Sequence, residues 1–126
     1  MTPAEFVRSR MGQPAQDWAC AKLVGDWITH RTGRDPLAVY GRPIEDGERW
    51  LQERGGLAVA VNRVMRANGF PKTLTPMPGD AGLILADGNR LCAALRTDKW
   101  WISQSRTGWI AQPIAWKAWH IPGGAE

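Results

Sequence analysis

Apolar positions along the first half of the chain recur with a helical period, and those of the second half alternate as strands do. Thr2-Pro3-Ala4-Glu5 opens the first helix with an N-cap threonine, a proline at the first helical position and a glutamate that closes a capping box. That helix is predicted to run to about Met11 and stop at Gly12. A stronger one opens at Gln16 or Asp17. Its stripe of Cys20, Leu23, Val24, Trp27, Ile28 and Arg31 marks one amphipathic face, with Gly33 at the C-terminal end. Arg34-Asp35-Pro36 and Tyr40-Gly41-Arg42-Pro43 read as a break. A short helix over about 46–54 surrounds Trp50 and Leu51 and ends at Gly55-Gly56. The next carries Leu57, Val61, Val64, Met65 and Asn68 on one face and is capped by Gly69.

Phe70 to Asp80 contains three prolines and no periodicity, and is predicted as a loop. Strands follow. Gly82–Ala86 and Leu91–Leu95 flank a hairpin turn at Asp87-Gly88 or Gly88-Asn89. Lys99–Ser103, Gly108–Gln112 and Ile114–Ile121 complete a meander. In the last of these, Ile114, Trp116, Ala118 and His120 alternate with Ala115, Lys117, Trp119 and Ile121, so bulky groups stand on both faces and the sheet is expected to be covered on both sides. Helices first and antiparallel strands second is an α+β pattern. The expected organisation is one domain over 1–126: an N-terminal helical extension (1–14), a helical half (15–69), an antiparallel sheet (81–121) and a tail (122–126).

The 126-residue length suits a single domain with its own core. Eight tryptophans against two phenylalanines and one tyrosine are more indole than so small an interior readily holds, which suggests that some meet a partner. The formal charge of +4 comes mostly from arginines spread among acids, and does not form the clustered footprint of a nucleic-acid binder. Two cysteines, Cys20 and Cys92, make no disulfide framework. No CxxC, P-loop, GxGxxG or His/Cys metal spacing occurs, and no cofactor or metal is implied. The N-terminus lacks the apolar core of a signal peptide and no apolar run has the length of a membrane span, so synthesis in a cytoplasm is expected.

Several landmarks occur in a particular order: Asp17-Trp18-Ala19-Cys20 leading into the second helix, Thr32-Gly33-Arg34-Asp35-Pro36, Gly55-Gly56-Leu57, Pro78-Gly79-Asp80, and a closing Ala118-Trp119 strand. In this, residues 15 to 121 resemble the NlpC-type, papain-like cysteine peptidases, and more narrowly the small phage and prophage proteins of that fold encoded among tail-tip genes. The resemblance implies helices packed on an antiparallel sheet, with Cys20 in the nucleophile's place near a helix N-terminus, where the helix end lowers a thiol pKa. It also implies a histidine at the start of the second strand, but Arg90-Leu91-Cys92 stands there. Ala19 holds the place of the aspartate that often precedes the cysteine. His30 is about 15 Å from Cys20 along the same helix, which leaves His120, on the last strand, as an unusual base in a rearranged site.

Each of these residues also has a plainer reading. Cys20 and Cys92 can be small buried hydrophobes. His30 can be a helix C-terminal residue favoured by the dipole, and His120 a surface or interface histidine. A Cys20–Cys92 redox pair would need Cα atoms within about 7 Å. The leading expectation is a structural component of a phage tail tip or hub, localised to the virion, on a peptidase fold that has lost its base. Its partners would be other tail-tip, hub or baseplate proteins, with Trp100, Trp101, Trp109 and Arg106 as interface candidates. Trp100 and Trp101, as neighbours on a strand, point to opposite faces, so one can be core while the other meets a partner. The alternative is an active cysteine peptidase cutting peptidoglycan stem peptides during infection. A nucleic-acid binder rests on charge alone.

Overall fold

A computed structural model describes residues 1–13, 19–41, 55–86, 90–105 and 108–123. Among the described residues four helices, α1 (Pro3–Arg10), α2 (Ala19–Thr32), α3 (Pro36–Tyr40) and α4 (Gly56–Ala67), precede five strands, β1 (Ala81–Ala86), β2 (Arg90–Arg96), β3 (Trp101–Ser105), β4 (Gly108–Gln112) and β5 (Lys117–Trp119). The architecture is α+β. The strands form one antiparallel sheet in the order β4-β3-β2-β1-β5.

Local chemistry explains the helix starts. At α1, the Thr2 hydroxyl accepts from the Glu5 amide while the Glu5 carboxylate accepts from the Thr2 amide, both at 3.1 Å, which is the complete capping box. Those two hydrogen bonds also hold the Glu5 carboxyl below its ordinary range. The supposed break at Asp35-Pro36 instead begins α3. The Asp35 carboxylate accepts from the Leu37 amide at 3.0 Å and Pro36 takes the first helical position. Asp-Pro reads as a break only because the same pair both ends one element and opens the next. Gly55-Gly56 likewise opens α4, with Gly55 as its N-cap. The helix expected over 46–54 and the start of α2 before Ala19 lie outside the described residues.

Two further expectations are corrected. Strand β3 starts at Trp101, not Lys99, because Thr97 turns the chain: its amide and hydroxyl both donate to the Trp100 carbonyl, at 2.8 and 3.1 Å. The five strands are also not a simple meander. β5 leaves β4 and pairs with β1, Ala81 opposite Trp119 and Gly82 opposite Ala118. Only Lys117–Trp119 is strand, because Pro113 to Trp116 is used in carrying the chain from one edge of the sheet to the other.

The sheet divides the core in two. On one face Leu23, Val24, Trp27 and Ile28 of α2 pack on Leu83, Leu95, Trp119 and Ile121, with Met65 of α4 and Phe6 and Val7 of α1 in the same cluster. Helix α1 is therefore part of the core. Its Phe6 ring meets Trp27 edge-on at 5.4 Å and its Arg10 is paired with Asp26 at 2.6 Å. On the other face Ile84, Cys92, Ala94, Trp101 and Ala118 form a smaller cluster, joined by Ala115. Both faces are thus covered, one by helices and the other in part by the Pro113–Trp116 crossing.

Candidate functional site

Cys20 sits in the first described turn of α2, and the helix lies against β2. It packs on the cluster that includes Leu91 and Ala93. Burial pushes its thiol pKa up, a backbone contact from Ala93 pulls it down, and Cys92 across the sheet raises it further. A nucleophilic cysteine needs the reverse, a thiol drawn down by a nearby positive charge. Strand β2 presents Leu91 and Ala93 toward α2, and neither side chain can take a proton.

Neither histidine supplies the missing base. His30, in the last turns of α2, stacks on Phe6 at 6.0 Å and lies tilted against Trp27 at 5.7 Å, the three rings forming one cluster. His120 follows β5, where its Nδ1 lies 3.0 Å from Asp80 Oδ1. The far end of α2 marks how distant that is. Trp27 Nε1 donates to the Gly79 carbonyl at 2.9 Å, beside Asp80, and Trp27 is seven residues or about 10 Å along the helix from Cys20. His120 is engaged by Asp80, and the groups that act on the Cys20 thiol among the described residues include no imidazole. Nor do the cysteines pair. Cys20 packs with Ala93 on the helix face, while its neighbour Cys92 belongs to the cluster on the opposite face, as alternation along a strand demands.

A firm prediction follows for the thiol. Because its pKa is raised in the folded state, Cys20 stays protonated at neutral pH. Alkylation by iodoacetamide is expected to be slower than for a free cysteine, and to accelerate only above the ordinary thiol range. The linked stability effect has a definite sign. Above the unfolded thiol's pKa the unfolded chain releases the proton first, so Cys20 subtracts stability as pH rises through and beyond about 9. Pulse alkylation across pH, with peptide mapping to separate Cys20 from Cys92, checks this; rapid labelling at pH 7 contradicts it.

The Pro78-Gly79-Asp80 step is the most heavily engaged site. Asp80 is 1% exposed. Its Oδ2 accepts from the Met77 amide at 2.8 Å, and its Oδ1 accepts from the Ile121 amide at 3.1 Å and meets His120 Nδ1. Its backbone carbonyl accepts from the Arg96 amide at 2.9 Å. One carboxylate thereby ties the loop before β1 to the chain after β5. Gly79 sits at φ +96°, a left-handed conformation that other residues rarely adopt, and a Cβ there would also displace the end of the Arg31 side chain. Asp80 and His120 have the geometry of the orienting half of a catalytic triad, but no cysteine lies at that end of the sheet.

The interface candidates separate. Trp101 is 1% exposed and Trp100 is 46% exposed. Trp109 is half-buried against the helix-face cluster. Arg106 lies outside the described residues. Trp101 occupies a trough made by a row of small residues across three strands, Ala94, Gly82 and Ala118, which the register places side by side. Sequence reasoning named Asp80 only within the Pro78-Gly79-Asp80 landmark, as a turn, and gave no site role to it or to Lys72, Arg96 and Lys117, which line a groove beside Trp101. The sequence signal for Asp80 was an acid directly before an apolar strand, a place where a buried carboxylate cannot go without partners.

Among the described residues no group of three or more His, Cys, Asp or Glu side chains could hold a metal, and no helix is long and apolar enough to cross a membrane. Comparison with known protein families, curated proteins and solved structures finds no match.

Proposed function

We propose that this chain is a non-catalytic binding domain, serving as a structural component of a phage tail tip or hub on a degenerate NlpC-type peptidase architecture. The observation that carries the non-catalytic part is the surroundings of Cys20. The cysteine occupies the first described turn of a helix packed on the second strand, where a peptidase of that architecture keeps its nucleophile, yet it packs on an apolar cluster to which that strand contributes Leu91 and Ala93 and no imidazole. A thiol pushed up by burial and lacking an imidazole cannot attack a peptide carbonyl at neutral pH. The tail-tip context follows from the ordered landmarks of the sequence. The surplus of exposed apolar side chains, Trp100 and Trp116 among them, supports a protein whose surface is completed by partners.

The test has two arms. Purified protein is incubated with peptidoglycan and with synthetic stem peptides, beside a Cys20→Ala variant, and cleavage is followed by mass spectrometry. No cleavage by either protein is expected; Cys20-dependent cleavage would establish the hydrolase instead. Purified virions of a phage carrying this gene are then probed for the protein with an antibody. It is expected at the tail tip by immunogold labelling, and its absence from virions would reject a structural role.

A further inference from the structure

The sheet face opposite the helices bears a groove of about 470 Å³, lined by the loop before β1 and by the crossing that leads into β5. Three of its lining side chains are large, apolar and exposed: Leu74 at 99%, Ile114 at 77% and Trp116 at 51%. Pro76 and Pro113 stiffen its two walls and Trp101 lies at its floor. An apolar concavity of this volume is in the range of pockets that hold a small ligand or a few side chains.

Among the described residues that line it, the charged side chains all have one sign. Lys72, Arg96 and Lys117 line the groove, and no carboxylate is among its lining residues. None of the three cations pairs with a carboxylate among the described residues. The Lys117 ammonium stands 4.8 Å over the Trp116 ring and the Arg96 guanidinium 5.7 Å over Trp101. Arg96 spends one Nη on the Asp98 carbonyl at 3.3 Å, while its buried Nε has no hydrogen-bond partner among the described residues. A buried guanidinium N–H without an acceptor is uncommon in a folded protein and carries a desolvation cost that an incoming anionic group can relieve.

We infer that this groove docks an acidic, apolar segment of a partner protein, its leucine-like or proline side chains against Leu74, Ile114 and Trp116 and its carboxylates on Lys72, Lys117 and Arg96. The inference rests on the binding-domain reading above and gives that reading a surface and a ligand chemistry. A peptide fits better than the other anionic partners. Single-stranded nucleic acid needs open aromatic platforms, but of the two indoles lining the groove Trp101 is buried and Trp116 has a lysine over its face. A bilayer favours a protruding apolar surface, whereas this one is concave.

Fluorescence anisotropy tests it with labelled decapeptides that mix glutamate with leucine and proline, beside versions with every glutamate replaced by lysine. The acidic peptides are expected to bind and the basic ones not to. A Lys72→Glu/Lys117→Glu variant should weaken acidic-peptide binding about tenfold or more and gain affinity for the basic peptides, which a misfolded variant cannot do. Ile114→Ser should weaken binding of the acidic peptides while leaving the circular dichroism spectrum unchanged. Failure to bind the acidic peptides, equal binding by the charge-reversed variant, or tighter binding to oligothymidylate or to phosphatidylglycerol vesicles would each overturn the inference. Peptide titration is blind to peptidoglycan cleavage, so the groove and the non-catalytic reading of Cys20 fail separately.

Discussion

Asp80→Ala is expected to destabilise the protein by roughly 3–5 kcal/mol, a large share of a small domain's total stability. The side chain is 1% exposed and its two oxygens take the Met77 amide, the Ile121 amide and His120 Nδ1. Truncation removes the acceptors and leaves the donors in place. Ile121 is fully buried, so water cannot replace the lost acceptor at its amide. Asp80→Asn separates the contributions. Its carbonyl can still serve Ile121 and His120, but its NH₂ then opposes the Met77 N–H, and a smaller loss of about 1–3 kcal/mol is expected. His120→Ala, at a side chain that is 45% exposed, should cost least of the three, because water reaches the freed position. Urea unfolding followed by tryptophan fluorescence measures all of them; an Asp80→Ala variant as stable as the parent would mean the carboxylate does not hold the two chain segments together.

The second large effect is expected at Gly82. A Cβ built there would stand 2.7 Å from Trp101 Cζ3 and 2.8 Å from the Lys117 backbone carbonyl. Neither neighbour yields easily. Trp101 is enclosed in the core, and the carbonyl belongs to β5, paired to β1 on that side. Gly82→Ala should therefore destabilise by roughly 1–3 kcal/mol, and Gly82→Val by more. The cause can be isolated with Trp101→Leu. That substitution is itself costly, but it removes the ring from above Gly82. Adding Gly82→Ala to it should cost about 1 kcal/mol less than adding it to the parent, a coupling measured by a double-mutant cycle in urea. Strict additivity would show that the indole is not what excludes a side chain at 82.

Legibility differed between elements for physical reasons. The capping box at Thr2 and Glu5 and the α2 stripe depend on residues three or four apart, so their signal is complete within a few residues. The hairpin of β1 and β2 is local in the same sense. The last strand was legible as a strand but not as to its partner. Its apolar alternation fits any sheet edge, and nothing within Pro113 to Trp119 states that β1 is its neighbour and β4 is not. The α3 error had a different origin, since Asp35-Pro36 carries the chemistry of both a stop and a start.

The candidate site divides in the same way. The sequence by itself determined the α+β order, the helix-borne cysteine, and the lack of a histidine at the start of β2, because these are identities and short periods along one chain. Tertiary structure alone decided that Cys20 packs on the apolar helix-face cluster, that Cys92 lies behind the sheet, and that Asp80 reaches Ile121 forty-one residues away. It alone also gathered Lys72, Arg96 and Lys117 around one groove. Strand order and sheet face are set by long-range pairing and burial, and these bring together side chains that no local pattern relates.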